Sequence, residues 1–175
     1  MDSAPDFGEL VDLHSGELLT YLTRLLDERQ AAEDCLQDVY LRAYRAYGRL
    51  PNQANRRAWL YRIATNTARS AWRRRGREAG RTTPLDDEER DPATPLEDGL
   101  ERSEQLVRLR AAVEALPHKQ REALILRKYQ GLAYEAIGTI LSCSPEAARA
   151  NAYQALRKLR SLMAVAAVEQ GGESW

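Results

Sequence analysis

Two cysteines and two histidines are all that this 175-residue chain offers for thiol, disulfide or soft-metal chemistry. Cys35 and Cys143 lie far apart, and neither has a second cysteine or a histidine at ligand spacing. A disulfide framework and a zinc site are therefore not indicated, and both thiols read as reduced packing residues. His14 and His118 stand alone, no glycine-rich phosphate loop occurs, and the clustered acids sit in a proline-broken stretch rather than at ligand spacing on a helix. These absences argue against an enzyme, a metal and a cofactor. Long apolar runs are also missing: the longest, Leu162–Val168, falls far short of the roughly 20 residues that a membrane-spanning helix needs. The acidic, polar start lacks the basic-then-apolar profile of a signal peptide. The expectation is a cytoplasmic protein with no membrane segment of its own.

The most telling absence is local. Residues 42–77 hold no acidic residue at all, yet they hold eleven arginines and five of the twelve aromatic side chains, Tyr44, Tyr47, Trp59, Tyr61 and Trp72. Arginine forks onto phosphates, and a base of any sequence stacks on an aromatic face, so this mixture suits an unpaired nucleic-acid strand better than an intact duplex. The plainer alternative is a helix whose solvated face is basic. The zero overall charge conceals segregation: residues 1–41 carry −8, 42–77 carry +11, 78–104 carry −7 and 105–175 carry +4. A neutral whole-chain balance thus says little about partners.

Apolar residues recur with the helical period almost everywhere, which predicts an all-α fold. Leu18, Leu19, Leu22, Leu25 and Leu26 form one stripe; beyond Asp27-Glu28-Arg29, Ala32, Cys35, Leu36, Val39, Tyr40, Ala43 and Tyr47 form a second, implying a helical hairpin. A loop punctuated by Gly48 and Pro51 leads to a third helix, carried by Trp59, Leu60, Ile63, Ala64, Thr67 and Ala71 and running to the arginines at 73–75. Residues 78–104 hold three prolines, ten acids and scarcely any large apolar group, too little to bury for folding. They read as an acidic tether, or as a segment that lies in a basic channel of a partner. Two further helices are predicted to stop at Pro117 and Gly131. Then Tyr134–Leu141, the connection Ser142-Cys143-Ser144 and a helix from Pro145 through Arg160 make a helix-turn-helix pattern. Its second helix is the candidate major-groove reader. Two small helical domains follow, 1–77 and 105–168, with a frayed tail at 169–175.

Three blocks in order resemble a known family. AEDCLQDVYLRAYRAY (32–47), AWLYRIATNTARSAWRRR (58–75) and ALPHKQREALILRKYQGLAYEAIGTIL (115–141) are similar to the motifs of bacterial extracytoplasmic-function sigma factors, the smallest members of the sigma-70 family. The resemblance implies regions two and four joined by a flexible linker, and an activity that exists only with core RNA polymerase. It places Asp34, Gln37, Asp38, Leu41 and Arg42 against the polymerase clamp; Leu41 supports this independently, since it lies off the buried stripe. It assigns Tyr61, Arg62, Ile63, Ala64, Asn66 and Arg69 to the minus-ten element, read as bases extruded from the non-template strand. It assigns Arg149, Ala150, Asn151, Tyr153 and Gln154 to the minus-thirty-five duplex, and it implies an anti-sigma factor as a further partner. Trp59 stays open between core and stacking.

The chain also departs from the family pattern. An aromatic residue usual near the end of the loop before the minus-ten helix is replaced by Arg56. Two arginines usual in the recognition helix are Asn151 and Gln154. Asn and Gln pair bidentately with adenine, whereas arginine favours guanine or phosphate, so the change implies either altered sequence preference or weakened duplex binding. Arg157, Lys158 and Arg160 serve phosphates or cap a helix terminus. The alternative function is a sigma-like polymerase-binding or anti-sigma-regulated module whose minus-thirty-five recognition is weakened or altered.

Overall fold

The computed structural model describes residues 6–51, 54–78 and 101–171, with side chains described at 104–164 of the last segment. All regular structure in these residues is helical: α1 (Phe7–Leu26), α2 (Arg29–Tyr47), α3 (Arg56–Glu78), α4 (Glu101–Glu114), α5 (His118–Lys128), α6 (Tyr134–Leu141) and α7 (Pro145–Gly171).

Local chemistry sets the helix ends. Asp6 and Glu9 form a reciprocal capping box that starts α1. Asn55 Oδ1 accepts from the Ala58 amide at the start of α3, and Ser144 Oγ accepts from the Ala147 amide at the start of α7. Between α1 and α2 the chain turns at Asp27, whose φ of 53° lies in the left-handed region that Asp tolerates. Gly131 turns the chain before α6 with φ +64°.

Helices α1–α3 form the predicted bundle around Leu18, Leu22, Leu25, Val39, Leu60 and Ala64. Helices α5–α7 pack around Ile125, Leu126, Ile137, Ile140 and Ala152. The two units do not stand apart. Their buried side chains make one continuous apolar cluster, while α4 joins α7 through a smaller one at Ala112, Leu116, Ala155 and Leu159. Separate cores joined by a tether, the sequence expectation, give way here to docked units, because α3 and the end of α1 offer α5 and α6 an apolar face.

Two boundaries differ from expectation. Helix α4 begins at Glu101, inside the segment read as a tether, and residues 79–100 of that segment lie outside the described residues. Helix α7 runs on to Gly171 instead of ending at Arg160. The expected tail is therefore helical through 171, and Arg157, Lys158 and Arg160 sit inside a helix, where capping of a terminus does not apply.

Candidate nucleic-acid and polymerase interfaces

On α2 the outer stripe carries Asp34, Gln37, Leu41 and Arg42, all exposed, with Asp38 half-buried at its edge. Leu41 is 56% exposed, in keeping with its place off the buried stripe. Asp38 lies 3.9 Å from Arg74 of α3, and Asp34 accepts from Gln30 one turn earlier. The stripe thus sets one exposed apolar side chain among acid, amide and guanidinium groups.

The arginines of 42–77 divide into two groups. Arg57, Arg69, Arg74 and Arg75 are paired, with Glu17, Glu122, Asp38 and Glu28 respectively. Arg42, Arg45, Arg49, Arg62, Arg73 and Arg77 are exposed and, like half-buried Arg56, make no ion pair among the described residues. The acidic block at 1–41 thus neutralises part of the basic one.

The six minus-ten candidates separate in the same way. Arg62 and Asn66 are exposed, and Ile63 is half-buried against the core. Tyr61 is wholly buried, edge-on to Tyr21 at 5.2 Å, and its hydroxyl donates to Gln130 Oε1 at 2.8 Å. Burial, the largest influence, pushes the Tyr61 phenol above its ordinary range, so it is a neutral donor at physiological pH. Ala64 is also wholly buried. Arg69 forks onto Glu122 with Nε and an outer nitrogen at 2.8 and 2.5 Å, Arg69 being 19% exposed and Glu122 not at all. Tyr61, Ala64 and Arg69, expected on an open reading face, are covered in this arrangement: Ala64 belongs to the α1–α3 core, Tyr61 lies between Tyr21 of α1 and Gln130, and Arg69 is held by Glu122 of α5. Trp59 is half-buried and its ring lies 6.2 Å from that of Tyr47, which favours the core role. Arg56, half-buried as the first residue of α3, supplies no aromatic face.

The residues that do the covering carried no local signal in the sequence. Gln130 takes Tyr61 through its side chain and Arg57 through its carbonyl oxygen, the latter at 3.1 Å. His118 stacks on Trp72 with centroids 4.2 Å apart, and Arg121 donates to the Arg24 carbonyl oxygen at 3.2 Å. Arg110 of α4 pairs with Asp27 at 2.6 Å. The only advance sign was the alternation of charged blocks, which anticipates pairs without naming them.

One of these contacts makes docking depend on pH. Glu114 of α4 hydrogen-bonds Asp27, and this bond, then burial, pushes its carboxyl up to about 7, against the pull of Arg121 and Arg110. The charged groups that act on it are Asp27 after α1, Arg110 of α4 and Arg121 of α5. A carboxyl raised on docking strengthens the docked form fully below its ordinary value of 4.5 and loses that contribution as pH rises through about 7. The radius of gyration of the free protein is expected to grow as pH rises from about 4.5 to about 7, and Glu114→Gln is expected to flatten the change.

The helix-turn-helix is formed as its spacing predicts. Ser142 adopts a left-handed conformation at φ 57°, and the turn passes so close to α6 that a Cβ on Gly138 would lie 2.7 Å from the Cys143 carbonyl oxygen. Backbone atoms cannot yield as a side-chain tip does. Gly138→Ala is therefore expected to cost about 1–3 kcal/mol, read as a lowered midpoint in urea unfolding.

At the start of α7, Arg149 and Ala150 are exposed, Tyr153 is 63% exposed, and the Arg149 guanidinium lies 5.2 Å above the Tyr134 ring. Asn151 is half-buried and donates back to the Ala147 carbonyl oxygen at 3.0 Å. Exposed Gln154 accepts from Gln120 Nε2 at 2.9 Å.

Residues 10–78 match the model of Sigma-70 region 2, and residues 106–159 match that of Sigma-70, region 4. The RNA polymerase sigma factor CarQ of Myxococcus xanthus is 33% identical over 93% of this chain and 92% of its own length. The ECF RNA polymerase sigma factor EcfG of Rhodopseudomonas palustris is 31% identical over 89% of this chain and 83% of its own. The chain belongs to the extracytoplasmic-function group of the sigma-70 family. Among solved structures, the sigma factor RpoE in complex with the anti-sigma factor NepR from Bartonella quintana superposes with a TM-score of 0.70 at 27% identity. That likeness covers 91% of this chain and 98% of the other, so it extends over both regions. In this sigma factor the region 2 match thus falls on α1–α3, and the region 4 match runs from α4 into α7 as far as residue 159.

Proposed function

We propose that this sigma factor engages core RNA polymerase through Asp34, Gln37, Asp38, Leu41 and Arg42, reads the minus-ten element as unpaired bases through α3, and contacts the minus-thirty-five duplex through α7. Residues 1–77 and 105–168 act as regions two and four, with 78–104 spanning between the two promoter elements. The observation that carries the reading is the adjacency of two unlike faces on one small bundle. The α2 stripe centres on an exposed leucine, and beside it α3 presents unpaired arginines and Asn66. Apolar surface with mixed charge suits a protein partner, and arginine with aromatic rings suits a single strand.

Arg62 and Arg73 hold phosphates, while Asn66 addresses a base edge. Arg69 and the Tyr61 hydroxyl join them once region four has withdrawn, whereas Ala64 stays in the α1–α3 core. In region four, Arg149 and Tyr153 are the principal contacts and Ala150 lies against the groove. The amides of Asn151 and Gln154 are each engaged within the protein, which supports weakened rather than redirected readout of the minus-thirty-five element. The protein acts in the cytoplasm as a non-catalytic factor, and an anti-sigma factor is a fitting regulator. Run-off transcription with purified core polymerase over a library of randomised promoters tests the reading. A selected pair of elements is expected, whereas transcripts without sequence preference would favour a polymerase-binding module that does not read promoters.

A further inference from the structure

We propose that the cleft where α1, α4 and α5 meet is a binding site for a fatty-acid carboxylate: Arg24 takes the anionic head, and the apolar sides of α4 and α5 take the chain. None of these residues belongs to the polymerase stripe or to either promoter-reading set.

The three elements line a cavity of about 490 Å³, within the range of small-molecule sites, roughly 300–1,000 Å³. Leu124 and Ile125 of α5, 3% and 1% exposed, supply its inner lining, and Leu106, Leu109 and Val113 of α4 supply a wall. Leu106 is 62% exposed, so this wall meets water in the free protein. An apolar chain laid along it would release that water and gain stability in proportion to the area covered.

The charge at the cleft chooses the head group. Asp27 is already engaged by Arg110 at 2.6 Å and by the Glu114 carboxyl, and the Thr23 hydroxyl turns back to the Leu19 carbonyl oxygen. Arg24 is left. It is exposed, makes no ion pair among the described residues, and its guanidinium lies 4.2 Å above the centre of the Tyr129 ring. A guanidinium stacked by its face keeps its N–H edge for a carboxylate, which it can take with two parallel hydrogen bonds. The Arg121 guanidinium, donating to the Arg24 carbonyl oxygen at 3.2 Å, adds positive charge beside it. One uncompensated cation next to an apolar lining matches a molecule with an anionic end and a hydrocarbon end. A cationic amphiphile would be repelled there, and a neutral one would leave Arg24 unused.

The test titrates the full-length free protein with decanoate, decanol and decyltrimethylammonium by calorimetry, each below its micelle threshold, and locates the ligand by methyl NMR. Decanoate is expected to saturate a single site about tenfold more tightly than decanol, the worth of one charge-assisted hydrogen bond, and decyltrimethylammonium is expected to bind more weakly than either. Shifts are expected at the Leu124 and Ile125 methyls and not at Ile137 or Ile140, which do not line the cavity. Arg24→Gln is expected to bring decanoate down to the affinity of decanol, whereas Leu106→Ser is expected to weaken both. Both side chains are exposed, so neither change removes a core contact. Absence of saturable decanoate binding, equal binding of the three probes, or an undiminished preference for decanoate in Arg24→Gln would overturn the site. Shifts at Ile137 and Ile140 in place of Leu124 and Ile125 would overturn it as well.

Discussion

Leu41→Asp is expected to weaken binding to core RNA polymerase by about a hundredfold while leaving the helical bundle folded. Leu41 is exposed on α2, so no core contact is lost in the free protein. If it docks on the polymerase, about 1.5–3 kcal/mol of apolar burial disappears, and a carboxylate must be desolvated in its place. A hundredfold in affinity corresponds to about 2.7 kcal/mol, which burial and desolvation together supply. Gln37→Ala with Asp38→Ala is expected to act in the same direction, and less strongly, since rim polar groups contribute less than a central apolar anchor. Competition against labelled wild type for core, with circular dichroism as the folding control, reads both effects. Full affinity in Leu41→Asp would remove α2 from the polymerase interface.

The second large effect is on salt dependence. Arg62 and Arg73 are exposed and unpaired among the described residues, so each can release a counterion from a phosphate that it neutralises. Single-stranded contacts contribute a slope of about 0.7 per phosphate in the logarithmic dependence of affinity on salt. Arg62→Ala with Arg73→Ala is accordingly expected to flatten the slope of holoenzyme binding to a bubble template by about 1.4, and to weaken binding most at low salt. Arg75→Ala serves as the contrast, because Glu28 already holds that guanidinium at 2.5 Å. Equal slopes for all three proteins would mean that the exposed arginines of α3 do not meet DNA.

Helices with strong periodicity were legible from the sequence, and α6 matches its expected bounds, Tyr134–Leu141, because Ile137, Ile140 and Leu141 face one way and Ser142 ends it with a left-handed turn. The exposure of Leu41 was legible for the same reason. Helix α4 was read late because Glu101-Arg102-Ser103-Glu104 carries charge without an apolar stripe. Helix α7 was read short because the arginines ending at 160 resemble a terminus, although the Leu162–Val168 run that follows continues the helix. The docking of region four on region two was not legible at all. Tyr61 with Gln130 and Arg69 with Glu122 join residues 69 and 53 positions apart, and no local pattern marks one member of such a pair for the other. Motif matching gave Tyr61, Ala64 and Arg69 a role in reading DNA, but only the fold reveals that they are covered.

The most direct measurement of the whole account is site-specific photocrosslinking from position 66 of the holoenzyme on a promoter chosen from the randomised library. Asn66 is exposed on α3 beside the covered Arg69, and a photoreactive residue there should mark the non-template strand at the minus-ten element only after the duplex has melted. The account predicts crosslinks to that strand in holoenzyme and none with free sigma factor on the same duplex. Crosslinks to both strands of intact duplex, or equal labelling by free wild-type sigma factor and holoenzyme, would contradict it.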